Sequence, residues 1–234
     1  MKLIVTSEVR DRYPDLMIGV VVGRNVTNRH EDQALEELKR EVEQDVRSKW
    51  TIEDLIQQPL IAAWRDTYRS FGAKPKEYTP TAESLVRRVI KGSSIPKISV
   101  LVDAYLVVEL KHLLPIGGYD LDAIRGSISL RFSPGGESFV PLGGGQKTTK
   151  PGEVVYSDDQ RVLTVRWNYL DCDDTKITMD TKSFVLCIEA ADPRIDSDTL
   201  ARATDDLNVI LQRFCPGDYR SSVIKASETP DLEV

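Results

Sequence analysis

The pair of glycines in Leu114-Pro115-Ile116-Gly117-Gly118-Tyr119-Asp120 is the place where this chain could best bring its backbone against a small ligand, since neither residue carries a Cβ. The same pair also suits a tight turn between a helix and a sheet. Groups for covalent catalysis are scarce. There is no Gly-x-Ser-x-Gly elbow. His112 falls in an apolar helical context and Cys187 inside the apolar strand FVLCIEA, where both read as structural. Two histidines and three widely spaced cysteines, Cys172, Cys187 and Cys215, make neither a disulfide framework nor a zinc pattern. No cofactor and no His/Cys metal site are expected, and a carboxylate site for magnesium stays open.

Charge is segregated. Between Arg65 and Lys97 eight basic residues face three acidic ones, a net +5 that leaves −11 for the rest of a chain whose total is −6. Arg65, Arg69, Lys74, Lys76, Arg87 and Arg88 could form a patch for an anionic partner, or a solvated face paired with acids from elsewhere. Pro141–Lys150 (PLGGGQKTTK) lacks the adjacent Gly-Lys of a phosphate loop and precedes a β pattern, so it reads as a flexible hairpin loop. Within Arg166-Trp167-Asn168-Tyr169, strand alternation would send Trp167 and Tyr169 one way and Arg166 and Asn168 the other. Trp167 then forms either a substrate floor or core. Thr178 and Thr181 could lend hydroxyls to a pocket rim or serve as ordinary strand and turn residues.

The elements that must position these groups follow from periodicity and punctuation. Lys2–Val9 and Leu16–Val26 read as strands, and Glu31–Trp50 as an amphipathic helix. A short helix starts near Thr51, another spans Leu60–Arg69, and Thr81 is placed to cap a third that stops at Gly92 with Arg87 and Arg88 off its apolar stripe. Residues 98–113 form a buried helix. After Pro115, strands are expected at Arg125–Ser133, Glu137–Leu142, Glu153–Tyr156, Arg161–Tyr169, Thr175–Thr178 and Lys182–Glu189. A helix at Ser197–Phe214, capped near Asp196, closes the core, and 216–234 reads as a polar, frayed tail. The fold class is α+β: central helices with a mostly antiparallel sheet, in a single domain over 1–215 whose residues 1–55 make an N-terminal strand and helix layer.

Several spaced motifs then occur in one order: Trp64-Arg65-x-x-Tyr68-Arg69-x-Phe71-Gly72-x-x-Pro75-Lys76, Ile95-Pro96-Lys97-Ile98, Val102-Asp103-Ala104-Tyr105, Leu114–Leu121, Arg166–Tyr169 and Thr178-x-x-Thr181. Together they make residues 60–192 resemble the tRNA-editing (B3/4) domain of the phenylalanyl-tRNA synthetase beta subunit, most of all its free-standing relatives. The resemblance implies an aminoacyl-tRNA editing hydrolase that deacylates a mischarged tRNA in trans. Its partners would be the aminoacylated 3′ end and the amino-acid moiety. Asp103, Gly117, Gly118, Tyr119, Asp120, Trp167, Asn168 and Thr181 would border the substrate, and the six basic residues above would hold the tRNA, an assignment resting on charge. No catalytic side chain is named, because an activated ester needs only a positioned water and an oxyanion site. The family commonly has a His near Gly117 and an Asn at Leu106, so a tyrosine-editing specificity does not carry over. The alternative is a non-catalytic tRNA- or amino-acid-binding module of the same fold. The absence of a run of 18 apolar residues and of a signal-like start points to a cytoplasmic protein without membrane contact. Oligomeric state is open.

Overall fold

A computed structural model describes residues 1–234. Its helices are α1 (Ser7–Arg12), α2 (Gln33–Lys49), α3 (Ile52–Gln57), α4 (Pro59–Ser70), α5 (Thr81–Ile90), α6 (Val100–His112) and α7 (Ser197–Phe214). The strands are β1 (Lys2–Val5), β2 (Met17–Arg24), β3 (Ile116–Asp120), β4 (Ile128–Phe132), β5 (Ser138–Phe139), β6 (Lys147–Thr148), β7 (Val154–Ser157), β8 (Val162–Val165), β9 (Leu170–Asp171), β10 (Phe184–Ala190), β11 (Asp218–Lys225) and β12 (Asp231–Glu233). One sheet has the order β12-β1-β4-β7-β8-β9 and the other β11-β2-β10-β3, with β5 and β6 a separate hairpin. Every pairing is antiparallel except β1 with β4. The class is α+β, as expected.

The helices begin where local chemistry satisfies their first amides. Asp32 accepts from Leu35 N, Ser99 from Val102 N and Asp196 from Thr199 N; Thr51 and Asp54 form a reciprocal capping box. Gln58 caps α4, whose first residue is Pro59. The α6 sequence is apolar around its circumference, and it lies packed against α2, α5, α7 and β3.

Several expected elements differ. The first strand ends at Val5, because SEVRDR has a single buried apolar residue, Val9, and coils into α1. Thr81 is the first residue of α5 rather than its cap, which falls on Pro80. The strand read to continue through Tyr169 stops at Val165: Arg166 (φ 51°) and Trp167 (φ 69°) turn the chain, and β9 returns to pair Leu170 with Val165. The alternation across 166–169 is therefore lost, and Trp167 and Asn168 are both buried. The segment Thr175–Thr178 is not a strand; a 3₁₀ turn covers Asp173–Thr175. The tail is not frayed, since β11 pairs along the whole of β2 and β12 pairs with β1. Its polarity reflects edge strands, whose outward face meets water. The Gly-rich segment does link the β5–β6 hairpin, with Gly143, Gly144 and Gly145 all at positive φ.

Candidate functional site

A cavity of about 50 Å³ lies between the two sheets. One wall is β3 and β10, supplying Gly117, Tyr119, Cys187 and Glu189. The other is β7, β8, β9 and the turn between the last two, supplying Tyr156, Thr164, Asp171 and Trp167–Tyr169; Thr81, at the start of α5, completes it. The register explains why glycine stands at 117. It pairs with Cys187, and a Cβ there would meet no atom within 4 Å, so the missing side chain is what leaves room. Gly118 serves a different purpose. A Cβ at that position would fall 2.2 Å from Val185 O and 2.5 Å from Leu186 Cδ2, so it permits close strand packing rather than lining the cavity.

Two hydrogen-bond chains run through the walls. Tyr68 Oη donates to Asn168 Oδ1 (2.7 Å), Asn168 Nδ2 donates to Glu189 Oε2 (3.4 Å), and Tyr156 Oη donates to Glu189 Oε1 (2.7 Å). On the other side Thr164 Oγ1 donates to Asp171 Oδ1 (2.7 Å) and lies 2.7 Å from Tyr119 Oη. Burial pushes the Glu189 carboxyl up to about 8, against the pull of Tyr156 and Asn168, with the Asp171 charge adding to the rise. Burial likewise raises Asp171 against the pull of the Thr164 hydroxyl. Behind the cavity, Glu109 on α6 is fully buried with neither carboxyl oxygen hydrogen-bonded. Burial pushes it up to about 8; the Thr81 hydroxyl and Ile116 amide oppose that, and Asp171 and Glu189 add to it. Two acids, Asp171 and Glu189, thus line a space whose lining contains no Lys, Arg or His, with Glu109 buried behind it.

Of the residues expected at the substrate, Gly117, Tyr119, Trp167 and Asn168 come together here. Asp103 does not: its carboxylate takes Lys39 Nζ at 2.7 Å and Ile98 N at 2.9 Å, a buried bond between α6 and α2. Nor do Asp120 and Thr181. Thr181 Oγ1 donates to Asp120 Oδ2 at 2.6 Å, closing the loop beyond β3. Glu109, Asp171 and Glu189 are not among the residues expected there, yet Glu109 and Glu189 carry a signal in the sequence. Each is a lone carboxylate inside an apolar run, LVVELK or FVLCIEA, where burial without a cation is costly.

The basic group is divided. Arg65 is buried and donates to both oxygens of Glu83 (2.8 and 3.0 Å), and Arg87 Nε reaches the same carboxylate at 2.7 Å. Arg65 is therefore internal and cannot meet a phosphate. Arg69 pairs with Asp66, and Arg88 Nε donates to Ser94 O at 2.7 Å. Lys74 and Lys76 are exposed. His112 sits 2.8 Å from Asp206, joining α6 to α7 away from the cavity lining, and burial drives the Cys187 thiol further above its ordinary range.

The chain belongs to the B3/4 domain family, whose model matches residues 63–215, well over half its length. Similar proteins include the phenylalanine–tRNA ligase beta subunit of Fusobacterium nucleatum, 27% identical over 94 residues, which cover 40% of this chain and 12% of that one. The corresponding subunit of Cutibacterium acnes is 29% identical over 124 residues, covering 53% of this chain and 14% of the relative. The chain thus matches only a small part of those relatives' length. An N-terminal fragment of the phenylalanyl-tRNA synthetase beta subunit from Pyrococcus horikoshii aligns with a TM-score of 0.47 at 14% identity, over 93% of this chain and 50% of that one. No helix is long and apolar enough to cross a membrane.

Proposed function

We propose that the cavity between the sheets receives the aminoacyl end of a mischarged tRNA and that the protein hydrolyses the ester in trans. The observation that carries this reading is the lining itself: Tyr119, Tyr156, Trp167 and Tyr169 around Glu189 and Asp171, with no cation of the protein's own. Such a space suits a small organic group bearing an ammonium, which the α-amino group of an aminoacyl ester provides. With the cavity empty, Glu189 holds its proton at neutral pH, because burial outweighs its hydrogen bonds. An entering ammonium reverses that balance and draws the carboxylate into an ion pair. The names of the related tRNA ligase subunits support tRNA as the carrier of the ester.

Hydrolysis then needs no side-chain nucleophile. A water oxygen bonds to the acyl carbon, the ester C–O bond breaks, the amino acid leaves with its free carboxyl group, and the ribose hydroxyl takes up a proton. Cys187 lines the cavity but stays a neutral thiol, a poor nucleophile. A second reading, a non-catalytic tRNA- or amino-acid-binding module, is favoured by one observation: the lining offers no Lys, Arg or His to an oxyanion. The test is a deacylation screen of the purified protein against correctly and incorrectly charged tRNAs. Turnover of at least one mischarged species is expected. It should fall ten- to a hundredfold in Glu189→Gln, as for the loss of a charged hydrogen bond worth about 1.5–3 kcal/mol. Cys187→Ala and His112→Gln should stay within about tenfold of the parent, about 1.4 kcal/mol in barrier. Binding of charged tRNA with no turnover across the panel would establish the module instead.

A further inference from the structure

Beside the cavity, on the far side of the 166–169 turn, a second recess of about 130 Å³ is lined by Phe71, Gly72, Tyr78, Lys150, Glu153 and Arg166, among others. Arg166 is the centre of it. Its side chain is only about 10% exposed, one terminal nitrogen lies 2.7 Å from Glu153 Oε1, and its buried Nε has no hydrogen-bond partner. A buried guanidinium N–H without an acceptor is costly, and a ligand oxygen would remove the cost. The guanidinium lies 4.0 Å from the centroid of the Tyr78 ring, and Lys150 Nζ, on the other rim, is 3.3 Å from Tyr78 Oη. The positive φ of Arg166, unusual for a residue with a Cβ, holds it in this position. Lys150 makes no ion pair, and Lys74 and Lys76 stand exposed and equally unpaired on the loop that includes Gly72 and Tyr78.

We infer that this recess is a phosphate site, built by Arg166, Lys150 and Tyr78 to hold a phosphodiester of single-stranded RNA next to the acyl cavity. The two spaces share one wall. Arg166 lines the recess and the next three residues line the cavity, while Tyr78 and Tyr169 meet edge to face with centroids 5.4 Å apart. An RNA whose terminal ribose ester enters the cavity would therefore leave a backbone phosphate at the recess. The choice of RNA rests on the deacylase reading; the phosphate site itself does not.

The experiment is a ¹⁵N NMR titration following the Arg166 Nε–H resonance, identified by its absence in Arg166→Lys, with inorganic phosphate, adenosine monophosphate and a short uncharged RNA as separate ligands. RNA should shift that resonance, and inorganic phosphate should compete for it. Lys150→Glu changes an exposed residue and should weaken RNA binding at least tenfold while reducing its salt dependence. An Arg166 resonance unmoved by all three ligands, or Lys150→Glu binding RNA like the parent, would overturn the site. A response to inorganic phosphate or the mononucleotide but not to RNA would overturn the RNA assignment. Because uncharged RNA is used, a failed deacylation screen leaves this result standing, and a silent Arg166 leaves the deacylase reading standing.

Discussion

Glu109→Gln should make the protein more resistant to rising pH. The carboxyl is buried, unpartnered, and pushed up to about 8 from an ordinary 4.5. A folded-state value above the unfolded one means that the native chain binds the extra proton between those two limits. Stability is then fully present below about pH 4.5 and is lost as pH rises toward 8, at about 1.4 kcal/mol per pH unit in the middle of the window. From pH 5 to pH 7 this group alone costs roughly 2–3 kcal/mol. The Gln variant keeps the volume of the side chain and loses the titration. Whatever its buried amide costs is the same at every pH and cancels from the difference. Glu189 and Asp171 titrate in both proteins, so they cancel except for their mutual repulsion with Glu109. Urea unfolding at pH 5, 6 and 7 would read the effect, and in thermal melts the gap should widen by about 5–10 °C between pH 5 and pH 7 for a chain of this size. Parallel stability profiles for the two proteins would refute the reasoning, because they would mean that the native carboxylate is already ionised at pH 5.

Two comparisons follow from the same geometry. Gly117→Val projects into open space, so it should fold with a nearly unchanged melting temperature yet lose deacylation. Gly118→Val meets Val185 O and should destabilise the fold by about 1–3 kcal/mol or more. Melting curves and turnover measured together check both, and a stable, active Gly117→Val would move the site elsewhere. Arg65→Met strands the buried Glu83 with only Arg87 beside it, a loss of about 3–5 kcal/mol read by denaturant unfolding. RNA affinity per folded molecule should not change, and a drop in affinity at full stability would return Arg65 to the interface.

What could be read from the sequence was what local chemistry decides. The α7 limits follow from periodicity and the Asp196 cap, the long α2 from periodicity alone, and the buried α6 from an apolar segment of helical length. What could not be read depends on a partner distant in the chain. The polar DYRSSVIK becomes a strand only because β2, two hundred residues earlier, offers it a full edge. Ile116–Asp120 reads as a ligand-approaching segment or a turn on its two glycines, not as a strand, but β10 is there to pair with it. The same contrast holds among the charges: Arg65 is expected at the tRNA and Asp103 at the substrate, and only folding brings Glu83 to one and Lys39 to the other. Lys74, Lys76 and Lys150 are among the cations the fold leaves outside without an acidic partner, while Asp171 and Glu189 line the cavity without a cation. A structural network would neutralise both kinds internally. Keeping cations outside and acids within, separated by the turn from Arg166 to Tyr169, leaves each without its counter-charge, and a ligand with a phosphate at one end and an ammonium at the other would supply both.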